Sequence, residues 1–222
     1  MSFANECVPH WPFFAGQVMQ GTMATSARYR ISALAVASEF FGIMLFTLFG
    51  SFGGAAANGA ALAVFIYAAV VQSGGHLNPS VTLATAISGH TAFLQAITYI
   101  VAQLTGALTG AAIGKGLKPT DLITPGVFMP VGITQAQLYG WEFLMTLTLV
   151  VTVYAVAVST KGAGNVGPGV IGLSLYAMAA TGGGYTGGAL NFGRVFGPAI
   201  VYHKYEHIWV YLLAHLSPVR LL

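Results

Sequence analysis

Hydrophobic residues in this chain come in long uncharged runs, broken by glycine rather than by charge. Not one Asp, Glu, Lys or Arg occurs from Phe40 to Gly114, and between Glu142 and Arg194 only Lys161 carries charge. A helix that crosses a membrane needs roughly 20 mostly apolar residues. Five stretches approach that length: 31–52, 58–72 (continuing toward Gly74-Gly75), 93–113, 138–159 and 166–180, the last closed by Gly182-Gly183-Gly184. A sixth run, 207–222, is short for a span and carries His215, Pro218 and Arg220, so it predicts a weak or curtailed helix.

Residues 115–134 read as a loop, because Lys115, Lys118 and Asp121 stand there among three prolines, Pro119, Pro125 and Pro130, which cannot continue a helix. The loop separates two similar halves, about 31–114 and 135–222. Each half has a glutamate in its first run, Glu39 and Glu142. Each also has the phrase Gly-Gly-x-Leu-Asn after its second run, ending at Asn78 and Asn191. This is an internal repeat. An odd number of runs per half makes the two copies enter a membrane from opposite sides, and inverted repeats with Gly/Pro-interrupted segments point to a central transport site.

Each asparagine is followed by a short run, 79–87 and 192–201, the second containing Arg194. Ten helical residues span about 15 Å, half of a hydrocarbon core of ~30 Å. Asn is a preferred N-cap, and Pro79 suits the first helical position because its missing N–H strands nothing. Each phrase therefore predicts a glycine-rich segment that dives inward, turns at Asn and returns as a half-helix. Irregular backbone at that depth is tolerated only when buried in protein or lining a water-filled cavity. The two Asn amides are expected to donate to one oxygen at the midplane, with two positive helix ends repelling protons and cations.

Composition agrees with the pattern. Of 222 residues 56% are hydrophobic and 6% charged, against roughly 25% charged in a soluble domain. This is the composition of a multi-pass membrane protein in contact with the lipid bilayer. The net charge of +3 is too small and scattered to argue for nucleic acid. A single cysteine, Cys7, excludes an intrachain disulfide and a Cys-based metal site. Residues 1–30 do not read as a secretory signal and are expected to form a tail with a basic flank at Arg28 and Arg30. Lysine and arginine counting does not orient the chain, nor does it choose between plasma membrane and endomembrane. No nucleophile–base set, phosphate loop or metal cluster suggests an enzyme, and no cofactor is implied.

The residues from about Ser38 to Trp209 resemble the aquaporin, or major intrinsic protein, family. The resemblance is carried by Glu39 in Ser38-Glu39-Phe40-Phe41-Gly42, the box Gly74 to Thr82, Gln103 in the third run, Trp141-Glu142-Phe143, and the second box with Arg194 and Phe196-Gly197-Pro198-Ala199. It implies an all-α membrane protein: a right-handed, inverted-repeat bundle of six transmembrane helices plus two re-entrant half-helices, assembled as a homotetramer. Each protomer would be a passive pore for water and small neutral solutes (urea, ammonia, a small polyol) that excludes ions and protons. A rival reading keeps the fold but closes the pore and gives the protein a structural role.

Two departures from the family pattern stand out. The Asn-Pro-Ala boxes appear as Asn78-Pro79-Ser80 and Asn191-Phe192-Gly193. Ser80 would add a hydroxyl near the pore centre, and Phe192 would put a ring where the boxes meet and narrow the midplane. The four filter positions map onto Asn58, Ala179, Gly188 and Arg194, a wide polar constriction. Gly74, Gly75, His76, Gly187 and Ala189 would line the pore loops.

The resemblance makes Glu39 and Glu142 supports for the loops, through their backbone N–H groups, rather than a proton relay. His76 is open to three roles: vestibule lining, pH sensing or plain hydrogen bonding. Gly106, Gly110 and Gly114 form a small-residue face expected to pack within the protomer. Tyr185 is expected to stiffen the outer loop.

Overall fold

The computed structural model describes residues 31–221, so the N-terminal tail, with Cys7, Arg28 and Arg30, lies outside the described residues. Among those described, every regular element is helical: α1 (Ala33–Gly50), α2 (Gly54–Ser73), α3 (Pro79–Ile87), α4 (Phe93–Leu117), α5 (Gln135–Val153), α6 (Gly167–Thr186), α7 (Phe192–Tyr202) and α8 (Ile208–Leu216). A π-helical turn, Tyr154–Val158, extends α5, and a 3-10 turn, Pro218–Leu221, follows α8.

Local chemistry sets the ends. Ser32 caps α1 by accepting from Ala35 N at 3.3 Å. Thr134 and Gln137 form a reciprocal capping box that opens α5. Helices α2 and α6 both stop at a glycine with positive φ, Gly74 at 90° and Gly187 at 87°, a conformation that costs glycine little.

The bundle is paired in an orderly way: α1 packs on α4 and α2, α2 on α6, α5 on α6 and α8, and α7 on α4. Gly106 and Gly110 let α4 lie directly against α1, where an added Cβ would collide with the carbonyls of Phe40 and Met44. The small-residue face is thus spent inside the protomer. A core of Ile43, Phe46, Leu62, Ile66, Leu149, Val150, Ile171 and Leu175 fills the interior between α1, α2, α5 and α6.

Four helical stretches, 33–50, 54–73, 93–117 and 135–158, are long and apolar enough to cross a membrane. Helix α6 has 20 residues and runs through Gly182-Gly183-Gly184 to Thr186, so the glycine triplet does not end it. Tyr185 is consequently a helical residue, stacked on Trp141 at 5.8 Å, rather than a loop stiffener. Helix α4 likewise continues past Lys115 to Leu117. Helix α8 has 9 residues, about 14 Å of rise, and is the short sixth helix that the sequence predicts.

Candidate functional site

The site begins with two loops of the same shape. Residues Gly74, Gly75, Leu77 and Asn78 have φ of 90°, 64°, 46° and −155°; Gly187, Gly188, Leu190 and Asn191 have 87°, 66°, 50° and −154°. Leu77 and Leu190 are held left-handed, which costs a non-glycine residue roughly 1–2 kcal/mol. Such backbone persists only when its surroundings over-determine it, and here they do.

In the first loop, Glu39 is fully buried and accepts four hydrogen bonds. Its Oε1 takes Ser73 Oγ (2.6 Å) and His76 N (2.9 Å); its Oε2 takes Leu77 N (2.7 Å) and Gln103 Nε2 (2.7 Å). In the second loop Glu142 does the same. Its Oε1 takes Thr186 Oγ1 (2.6 Å) and Ala189 N (3.0 Å); its Oε2 takes Leu190 N (3.0 Å) and His215 Nε2 (2.8 Å). Burying a carboxylate costs several kcal/mol, whereas hydrogen bonds to charged groups contribute about 1.5–3 kcal/mol each. Four donors therefore offset the burial. With every lone-pair direction engaged by a donor, the arrangement suits an ionised acceptor rather than a carboxyl that hands a proton on.

The two loops then lock each other. Asn78 Nδ2 donates to Leu190 O at 2.9 Å, and Asn191 Nδ2 donates to Leu77 O at 2.7 Å. Each Asn oxygen caps its own half-helix: Asn78 Oδ1 accepts from Ser80 N, and Asn191 Oδ1 from Gly193 N and Arg194 N. So the N-termini of α3 and α7 meet head to head. Each amide spends one N–H on the opposite loop, so an oxygen placed between the two receives at most one donor from each side.

Two cavities flank this junction. The one beside Arg194 is a polar mouth of about 400 Å³, bounded by Ser51, Asn58, Phe128, Ala179, Gly187 and Arg194 among others. Arg194 is 1% exposed. Its Nη1 donates to Asn58 Oδ1 and its Nη2 to Ser51 Oγ at 3.3 Å. The guanidinium carbon lies 4.5 Å from the Phe46 ring centre and 5.4 Å from that of Phe128, while Nε has no partner among the described residues. The second cavity, about 30 Å³, lies against His76, Asn78, Val81, Leu149, Val153 and Ile171. That is room for roughly two water molecules, with walls that are mostly aliphatic.

Phe192 bounds neither cavity; it packs near Phe196 (6.2 Å) and against the cluster of Leu138, Val195, Val210 and Tyr211. Ser80 is fully buried with its hydroxyl unpartnered and bounds neither cavity, and Gly193 faces Ile43 of α1. Gly188 packs closely against Ala179, and Ala179 and Gly187 both bound the mouth. His76 borders the second cavity, with Nδ1 3.1 Å from Thr82 Oγ1. Pro79 starts α3 as expected.

Sequence reading missed Ser51, Phe46 and Phe128 around Arg194, and the loop partners Ser73, Thr186, Tyr211 and His215. A signal for two of these was present: the repeated phrase is one residue longer than Gly-Gly-x-Leu-Asn, with a hydroxyl residue, Ser73 or Thr186, ahead of each glycine pair. Among the described residues no group of three His, Cys, Asp or Glu side chains is placed to hold a metal ion.

Comparison with known proteins gives a consistent result. The sequence profile described as "Major intrinsic protein" matches residues 24–217. Rat aquaporin-8 is 35% identical over 167 residues, covering 73% of this chain and 64% of that protein, so the chain spans less than two thirds of that relative's length. Aquaporin TIP1-1 of Arabidopsis thaliana is 32% identical over 199 residues, 80% of this chain and 79% of the relative. The X-ray structure of the aquaglyceroporin from Plasmodium falciparum superposes with a TM-score of 0.75 at 21% identity, over 84% of this chain and 92% of that one, which establishes likeness of fold.

Proposed function

The chain belongs to the major intrinsic protein family and is an all-α, multi-pass membrane protein, and from that premise we propose that it is a passive channel for water and small uncharged solutes. The observation that carries the reading is the reciprocal lock between the two loops. Asn78 and Asn191 are pinned to Leu190 O and Leu77 O at the meeting point of two half-helix N-termini, with a cavity on either side. A solute oxygen at that point meets two positive helix ends and the remaining amide N–H groups, a field that favours a neutral hydrogen-bond acceptor and opposes a cation.

The roles of the residues follow from this. Glu39 and Glu142 are fixed acceptors that hold the loops. Asn58 and Arg194 line the outer mouth, where the fixed charge of Arg194 excludes cations. The mouth is wide and polar, so width alone does not reject urea or a small polyol there. The aliphatic inner cavity beside His76 is the narrower passage and favours single-file water. Assembly as a homotetramer belongs to the same reading.

The test is stopped-flow light scattering on proteoliposomes challenged with an impermeant osmolyte, then urea, then glycerol. Fast shrinkage with low activation energy is expected, followed by reswelling with urea. Rates equal to those of empty liposomes, from protein shown to be folded, would overturn the reading. In the same vesicles Arg194→Ala is expected to raise cation leak about tenfold, a loss worth ~1.4 kcal/mol of barrier. Unchanged cation exclusion would remove Arg194 from the filter.

A further inference from the structure

Helix α8 reaches the second loop with two side chains four residues apart, and hence on one helix face. Tyr211 Oη donates to Thr186 O at 2.5 Å, and His215 Nε2 meets Glu142 Oε2 at 2.8 Å; both residues are within 1% of full burial. Helix α4 does the same for the first loop with the same spacing. Tyr99 Oη donates to Ser73 O at 3.2 Å, and Gln103 Nε2 donates to Glu39 Oε2 at 2.7 Å. His215 therefore occupies the place in the second half that a glutamine amide occupies in the first.

The chemistry of the two donors differs. Glu142, with three other donors on it, acts as an acceptor, so Nε2 of His215 carries the hydrogen. Nδ1 of the same ring is buried without a hydrogen-bond partner among the described residues. Among them the imidazole's polar commitment is that one bond. Without it, Glu142 Oε2 keeps only Leu190 N, the amide of the left-handed residue just before Asn191.

We propose that His215 is a positioning residue for the second pore loop: through Glu142 it fixes the Ala189 and Leu190 amides, and so the place of Asn191 and Arg194 at the junction and the outer mouth. The packing geometry stands by itself, while its effect on selectivity rests on the channel reading above. A glutamine at this position supplies the same N–H donor as Gln103. A leucine of similar bulk supplies none.

The experiment is amide hydrogen exchange on full-length protein in detergent, comparing H215L and H215Q with wild type. The segment Gly187–Leu190 is the reporter and Gly75–Leu77 the internal control. In H215L, exchange of the second loop is expected to quicken about tenfold or more while the first loop is unchanged; H215Q is expected to keep wild-type protection.

Equal acceleration of both loops, no acceleration, or an H215Q that behaves as H215L would each overturn the proposal, since the donor would not be what matters. Should H215L fail to accumulate, H215Q decides alone: a protected second loop supports the assignment and an exposed one refutes it. Proteoliposome flux in parallel separates the two readings. A raised urea-to-water permeability ratio in H215L is the expected functional consequence. A wild-type protein that conducts nothing overturns the channel reading and leaves the exchange result to judge His215.

Discussion

The two pore loops share a backbone almost to the degree, yet they are secured sideways by different chemistry. In the first, Gln103 Nε2 reaches both Glu39 and Thr82 Oγ1 (2.8 Å), and Thr82 in turn meets His76 Nδ1. Helix α4, half-helix α3 and the loop are thereby stitched into one polar web. In the second, the residue four beyond Asn191 is Val195, which has no hydroxyl, and His215 ends its chain of contacts at Glu142. The comparison separates what makes the loop from what tailors it. A carboxylate, a hydroxyl residue before the glycine pair and a capping Asn suffice for the shape. The side contacts decide how firmly each half is tied and what its half-helix offers the passage. The first half spends its polar groups on one another beside the smaller cavity. The second leaves Arg194 at the wider, polar cavity.

The severest way to break the comparison is to remove a carboxylate. Glu39→Ala strands four donors. At ~1–3 kcal/mol per stranded buried group, the loss is comparable to the whole stability of a typical domain, about 5–15 kcal/mol. Loss of the monodisperse peak in size-exclusion chromatography is expected; a well-folded Glu39→Ala protein would show that the loop is shaped by something else. Thr82→Val is gentler and one-sided. It removes an acceptor for Gln103 and a partner for His76, and is expected to cost about 1–3 kcal/mol, read as a lower thermal midpoint, with first-loop exchange quickened and second-loop exchange untouched. If both loops loosen together, the halves are not independently tied.

The smallest effect is expected from Phe192→Pro. The N–H at the first helical position makes no intrahelical bond to lose, and Asn191 already has an extended ψ of 111° that proline tolerates in its predecessor. Water flux should stay within about twofold of wild type and stability should move by less than ~1 kcal/mol. A marked rise in flux would place the ring in the passage after all.

Much of this was legible in the sequence because the decisive signals are local. Asn78-Pro79 announces an N-cap and a helix start together, and the half-helix 79–87 is found where it was read. The uncharged runs around Glu39 and Glu142 place both carboxylates inside the bundle, because nothing else on those helices could satisfy them. What was not legible depends on direction and distance. Ser80 and Phe192 follow their asparagines immediately, and only the rotation of each half-helix about its axis shows that neither side chain bounds a cavity. Phe128 comes from a proline-bearing loop whose path no periodicity fixes, and it ends beside Arg194. His215 looked like a blemish in a weak apolar helix. Its partner lies 73 residues away, and its role shows only beside Gln103.

The reciprocal bonds between Asn78 and Leu190, and between Asn191 and Leu77, also impose an order in time. Chains emerge from the ribosome N-terminus first, so the first loop is complete long before its partner exists. Until Asn191 arrives, the carbonyl of Leu77 has no amide from the opposite loop, and Asn78 has no carbonyl to hold. The first half must therefore wait in the bilayer with its innermost polar groups unsealed, and the second loop's brace on α8 follows later still. Synthesis of the second loop and of α8 is thus the step at which an insertion intermediate becomes a closed bundle.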